Sequence, residues 1–252
     1  MHLTAQQLLV PFVAAIVAGA LNSAAGGGSF ISFPAMLLVG FPPILANATN
    51  NTAMWIGNIG SIGGFREDFE LKRADAIPPI VVCVAGGAIG SILLLETPES
   101  AFERAIPWLL AFATIVFAAG PWLRRGTDGT KRGVGSSLAT LVPLFLVTIY
   151  GGYFGAGTGI MILALFAATT AMTIIKVNAL KNVLVFFVNG TAVIPFAFAH
   201  AVVWPEALAM GVGAIAGAYG GARVIRRLHA SVVRGIVIAI GATMSIYFFV
   251  HR

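Results

Sequence analysis

Two sets of residues in this chain have the types and spacing to bind a solute. The first is a pair of glycine-rich breaks inside apolar sequence, NSAAGGGSFISFP at 22–34 and YGGYFGAGTGIMILA at 150–164. The second is a polar row in otherwise apolar sequence. It comprises Asn47, Asn50, Asn51 and Asn58, interleaved with Thr49 and Thr52, and later Asn178, Lys181, Asn182 and Asn189. Each glycine cluster is followed at once by apolar helix-forming sequence, SFISFPAMLL and IMILALFAA. The first turn of a helix has unpaired N–H groups and a partial positive charge. Such groups, aimed into a cavity, hold an anion. Glycine lets a solute approach the backbone, at about 1 kcal/mol of helix propensity per residue relative to alanine. The chemistry expected is noncovalent. A small anion would be held by backbone donors around Gly27, Gly28 and Ser29 and around Gly157, Thr158 and Gly159, with Asn51, Lys181 and Asn182 as side-chain donors.

Each feature also has a structural reading. Small residues let membrane helices pack closely, which suits Gly86 and Gly90 and the later Gly217 and Gly221. Asn47, Asn51 and Asn58 are four and seven positions apart and share one helical face. Amides on such a face line a cavity or bond to neighbouring helices. Lys181, about one turn into its expected helix, either neutralises an anionic substrate or reaches the cytoplasmic interface. Lys176 reads as an interface residue.

Catalysis is not indicated. No Cys/His group has metal-ligand spacing, no GxxxxGK[ST] loop is present to hold ATP, and GAGTG lacks the βαβ setting of a dinucleotide site. No nucleophile stands with a base, so the chain does not read as an enzyme, and no cofactor is expected. No Asp or Glu falls centrally in an apolar segment, which leaves no obvious proton-relay carboxylate. Cys83 lies in an apolar segment and reads as packing. His2, His200, His229 and His251 fall near segment ends, and Trp55, Trp108, Trp122 and Trp204 read as helix anchors, mostly near ends.

The elements that must position these residues are membrane helices. The chain is 58% hydrophobic and 10% charged, against about 25% charged for a soluble domain, and its mean hydropathy is +0.94. The apolar runs do not alternate as barrel strands do. They are long and separated by short polar loops, the pattern of an all-α polytopic membrane protein with the lipid bilayer as its surroundings. The net charge of +6 is concentrated in a few loops and reads as topology rather than nucleic-acid affinity. Full-length helices are expected near 45–65, 75–95 and 103–123, and near 176–198, 205–227 and 232–250. The breaks lie in 6–25 with 28–41 and in 137–155 with 158–173. The pieces after the glycines, about 14 to 16 residues, are either packed full crossings or arms of re-entrant hairpins. Discontinuous helices meeting within the bilayer are the preferred reading. MHLTAQQLLVPF lacks the basic stretch of a cleaved signal peptide, so the first apolar segment is expected to remain as a helix. Nothing in the sequence marks an oligomer.

The two halves repeat at an offset of 131 positions. Asn47, Asn51 and Asn58 fall on Asn178, Asn182 and Asn189; Gly26 and Gly28 fall on Gly157 and Gly159; Gly86 and Gly90 fall on Gly217 and Gly221. Charge then orients the halves. Loop 66–75 holds Arg66, Lys72 and Arg73, while its counterpart 197–206 has no Lys or Arg. Loop 96–103 is acidic, while its counterpart 227–234 is basic and follows Arg223 and Arg226. Positive loops stay cytoplasmic, so the halves are expected to face opposite ways, as two inverted-topology repeats. The expected organisation is a first repeat over 1–126, a basic cytoplasmic linker over 127–135 and a second, inverted repeat over 136–252, with both termini outside.

AAGGGSFISFPAMLLVGFPPILANATN, with its weaker copy GAGTGIMILALFAATTAMTIIKVNALKN, resembles the sulfite exporter TauE/SafE family, also called the toluene-sulfonate uptake permeases. The resemblance covers nearly the whole chain. It rests on the glycines, Pro34, the Gly40 to Pro43 turn and the Ala/Asn/Thr helix start that follows. The second half departs from it. Ala156 and Thr158 interrupt the glycines, and Leu165 stands opposite Pro34, so the two halves of any site are chemically unequal. The resemblance implies a multi-pass inner-membrane transporter that exports sulfite, sulfoacetate or other organosulfonates. A passive anion channel and a permease for a non-sulfur organic acid are the competing expectations.

Overall fold

A computed structural model describes residues 4–24, 26–64, 73–123, 137–170, 172–225 and 230–250. The linker over 127–135, together with Arg66, Lys72, Arg226, His2, His229 and His251, lies outside the described residues. Those described form ten helices and no strand: α1 Ala5–Ala24, α2 Ser29–Leu38, α3 Pro43–Gly64, α4 Arg73–Glu96, α5 Glu99–Leu123, α6 Leu138–Tyr153, α7 Thr158–Thr169, α8 Ile174–Phe198, α9 Trp204–Ile225 and α10 Ala230–Val250. The starts of α3, α4 and α5 recur at the starts of α8, α9 and α10 with the same 131-residue offset that relates the asparagines.

Among the described residues, four helices are long and apolar enough to cross a membrane: α1 over 5–23, α4 over 76–96, α5 over 99–119 and α8 over 175–198. α2 and α7 hold only 10 and 12 residues, fewer than the 14 to 16 expected. At 1.5 Å per residue they reach about 15 to 18 Å, roughly half of a 30 Å hydrocarbon core. The sequence explains where they stop. After α2, Gly40 adopts φ 87° and donates to Leu37, while the Phe41 N–H reaches back to the Met36 carbonyl. This left-handed C-terminal cap is followed by Pro42 and then by Pro43 at the first position of α3, where a missing N–H costs nothing. After α7, Thr170 turns extended, and Thr173 caps α8 by accepting from the Lys176 N–H.

Packing follows the repeat. α1 lies on α9 as α6 lies on α4, and α3 lies on α9 as α8 lies on α4. Small residues bring these helices together, with Gly213 on Phe12 and Gly217 on Ile16 in one pair, and Gly152 on Gly87 in the other. Phe12 and Ile16 meet Gly213 and Gly217 in the same order, so α1 and α9 run parallel. α5 and α10 also touch, but in opposite senses. Ser245 Oγ donates to the Pro107 carbonyl at 2.8 Å, Trp108 meets Phe249 with ring centroids 5.0 Å apart, and Gly241 packs on Thr114. The outer surface is apolar: Leu9, Val13, Val81, Trp108, Ile115 and Phe198 are all exposed. A surface of this kind suits lipid contact. Cys83 is fully buried among Leu144, Val185 and their neighbours, in line with a packing role.

Candidate functional site

The site is built where α1 and α6 end. At the close of α1, Gly26 takes φ 84°, and its N–H returns to the Leu21 and Asn22 carbonyls. At the second break Gly157, the residue 131 positions later, has the same φ of 84° and precedes α7. A side chain strains a backbone in this region by about 1–2 kcal/mol, which accounts for glycine at both positions. The two breaks meet. A Cβ built on Gly26 would stand 2.9 Å from the Gly159 carbonyl carbon and 3.0 Å from its Cα. Those backbones are in direct contact, and only glycine allows it.

The asparagine row divides by use. Asn47 Nδ2 of α3 donates to the Tyr153 carbonyl at 3.0 Å, at the end of α6. Its counterpart Asn178 Nδ2 of α8 donates to the Ser23 carbonyl at 3.3 Å, at the end of α1. Each long helix thus caps the broken helix of the opposite half, where the last carbonyls lack intrahelical partners. Asn58 Oδ1 accepts from Asn22 Nδ2 at 3.0 Å. These three amides serve interhelical bonding. Asn51 differs: it is buried, and neither end of its amide has a partner among the described residues. Its Nδ2 lies 3.4 Å from a Cβ built on Gly155, beside the second break. Asn182, which corresponds to it in α8, is buried with Nδ2 also unpartnered.

Lys181 stands two turns into α8, deeper than the single turn expected. It is 1% exposed, so it does not reach for the interface. Its Nζ donates to the Asn22 carbonyl at 3.1 Å, and its Cδ lies 3.4 Å from a Cβ built on Gly159. Among the described residues no carboxylate pairs with it. An amine is therefore held inside the protein where the two breaks touch, against the carbonyl end of α1, which favours positive charge.

The other expected donors fall around this point in different ways. Gly27 faces Phe117, Val237 and Ile160, and Gly28 packs on Ala18 and Asn22 of its own preceding helix. Ser29 is half-buried in the first turn of α2. Gly157 rests on Ala113 and Phe30. Thr158 is buried, and both its N–H and its Oγ1 turn back to the Gly155 carbonyl, at 3.4 and 2.9 Å. Gly159 and Lys181 are brought together at the first break, and Asn51 stands at the second.

Three participants were not singled out from the sequence. Asn22 gathers Lys181 and Asn58, and its neighbouring SAAGGG run was the only signal for it. Trp55 lies mid-helix rather than at an end. It stacks on Phe186 with centroids 5.7 Å apart and packs on Gly190, with Nε1 unpartnered. Glu206 is buried in the first turn of α9.

The sequence profile described as Sulfite exporter TauE/SafE matches residues 11–248. This chain belongs to the TauE/SafE family. Its relatives include a probable membrane transporter protein, ORF9, of a Sinorhizobium species, 28% identical over 93% of this chain and 89% of that protein. A probable membrane transporter protein of Haemophilus influenzae is 25% identical over 94% of this chain and 92% of its own length. The probable membrane transporter protein YfcA of Escherichia coli K12 is 25% identical over 94% and 87%. No solved structure matches the chain. Membership in TauE/SafE, with these relatives, makes the chain a multi-pass membrane transporter. The helix breaks and the buried Lys181 are therefore features of a transporter interior.

Proposed function

We propose that this TauE/SafE chain is a secondary transporter that exports small sulfur-containing anions, such as sulfite, sulfoacetate or another organosulfonate, by alternating access between two oppositely oriented repeats. The observation that carries the reading is Lys181: a buried amine without a carboxylate partner among the described residues, placed where the two glycine breaks touch. A buried charge is costly until it is paired, and a small anion entering between the breaks would pair it. The unpartnered amide of Asn51 and the unpartnered Nδ2 of Asn182, both judged among the described residues, add donors on the two helices that flank the breaks. Gly27, Gly28, Ser29, Gly157, Thr158 and Gly159 shape the approach and supply backbone.

The opposed orientation is supported by α5 and α10. They occupy equivalent places in the repeat, yet they touch while running antiparallel. A twofold axis relating such a pair lies across the helices, in the membrane plane, as in inverted-repeat transporters. The half-length α2 and α7 fit re-entrant segments, whose irregular backbone is tolerated where protein covers it.

The test is counterflow in proteoliposomes with a panel of sulfite, thiosulfate, sulfoacetate and taurine, and carboxylates as controls. Saturable exchange of one sulfur anion, without unitary currents in bilayer recordings, is expected. Exchange confined to the carboxylates moves the substrate class, and unitary anion currents make the protein a channel.

A further inference from the structure

Glu206 is the third residue of α9, is 0% exposed, and has no hydrogen-bond partner for either carboxylate oxygen among the described residues. A glutamate at this helix position ordinarily reaches back to the N–H of the capping residue. Here that N–H, of Val203, donates instead to Thr49 Oγ1 of α3 at 3.0 Å. The carboxylate is left over. α1 and α3, the helices packed most closely on α9, contain no Asp, Glu, Lys, Arg or His within Ala5–Ala24 and Pro43–Gly64. On α9 itself the nearest other titratable side chain among those described is Tyr219, about 20 Å further along the helix. His200, ahead of α9, is exposed. The position 131 residues earlier is Asp75, also the third residue of its helix, so each repeat sets a carboxylic acid at the start of the same element.

A carboxylate enclosed without a partner is costly, and the described part of the protein offers it no cation. We propose that Glu206 is a coupling-cation site: its carboxylate takes one monovalent cation, a proton or a sodium ion, while the start of α9 is sealed, and exchanges it with water when that end opens. For a proton, an O–H bond forms on one carboxylate oxygen and breaks again, with water as donor and acceptor. The site lies one turn from the end of its helix, so a small movement exposes it. The proposal rests on the transporter reading above.

Two measurements test it. In proteoliposomes loaded with sulfite, a proton gradient or a sodium gradient is imposed separately at fixed voltage. Flux through the wild type is expected to follow one gradient, and flux through Glu206→Gln is expected to follow neither. Glu206→Asp, which keeps the acid, is expected to retain a weakened response and serves as the check on folding. The second readout needs no substrate. Infrared difference spectra of the purified protein are recorded across pH and with added sodium. A carboxyl or carboxylate band that responds to one cation, is missing in Glu206→Gln and is displaced in Glu206→Asp is the expected result. A gradient response in Glu206→Gln equal to the wild type, or spectra in which no Glu206 band responds to either cation, overturns the proposal. Absence of sulfite flux from every sample counts against the substrate reading alone, and the spectra still decide the cation site.

Discussion

Gly26 and Gly159, from opposite halves of the chain, are in backbone contact at the meeting point of two helix breaks. This contact fixes the distance between the breaks and sets the neighbourhood of Lys181, whose Cδ packs on the same glycine.

Gly26→Ala and Gly159→Ala are expected to lower thermal stability and to reduce transport together. Alanine at Gly26 adds left-handed strain of about 1–2 kcal/mol to a clash with backbone that cannot move aside. Gly220, whose added Cβ would meet nothing within 4 Å, is the control. Gly220→Ala should be neutral or stabilising by up to about 1 kcal/mol, the helix-propensity difference. Melting in detergent and counterflow in liposomes check all three.

Lys181→Met is expected to weaken anion affinity at least about tenfold, which corresponds to roughly 1.4 kcal/mol, while leaving the melting temperature unchanged or raised. The Asn22 carbonyl keeps the Gly26 N–H after the amine is removed, so no acceptor is orphaned. A large loss of stability with full affinity would make Lys181 a structural strut instead. Isothermal titration with sulfite, beside thermal unfolding, separates these outcomes.

Asn47→Leu and Asn51→Leu should part company. The first leaves the Tyr153 carbonyl without its donor, and loss of a buried partner costs about 1–3 kcal/mol. The second removes an amide that has no partner to lose among the described residues, so stability should hold or rise while transport falls. Thermal unfolding and counterflow, measured on both variants, give the comparison.

Orientation is checked by labelling. In a Cys83→Ser background, His200→Cys should react with an impermeant maleimide from the outer face, since His200 is exposed after α8. Asp128→Cys, in the basic linker, should react only after the inner face is opened. Equal access to both from one side would remove the inverted arrangement.

Much of this architecture was legible in one dimension, and particular residues show why. The asparagine triplet and its copy announced the 131-residue repeat, and α3, α4 and α5 begin at the same offset from α8, α9 and α10. The glycine runs marked the breaks because glycine is costly inside a helix unless the backbone must turn or be approached. The lengths of α2 and α7 were overestimated, because apolar sequence continues through Val39 and Phe41 after the helix has been capped at Gly40. Glu206 falls at the start of the helix expected near 205–227, as α9 has it, but its burial was not legible, because packing rather than local sequence decides it.

Taken alone, the sequence determined that this chain is a membrane protein, where its helices run and break, and that its asparagines and helix starts recur at an offset of 131 residues. Hydrophobic runs, prolines and glycines act over a few residues, so local order is enough to read them. Tertiary structure alone decided which amide N–H groups already have an acceptor. Asn47 and Asn178 look like Asn51 and Asn182 in the sequence, yet the first pair caps carbonyls more than a hundred residues away, while Asn51 keeps its whole amide and Asn182 its Nδ2 unpartnered. A hydrogen bond is settled within about 3 Å of space, and that distance is fixed only when the two halves pack against each other.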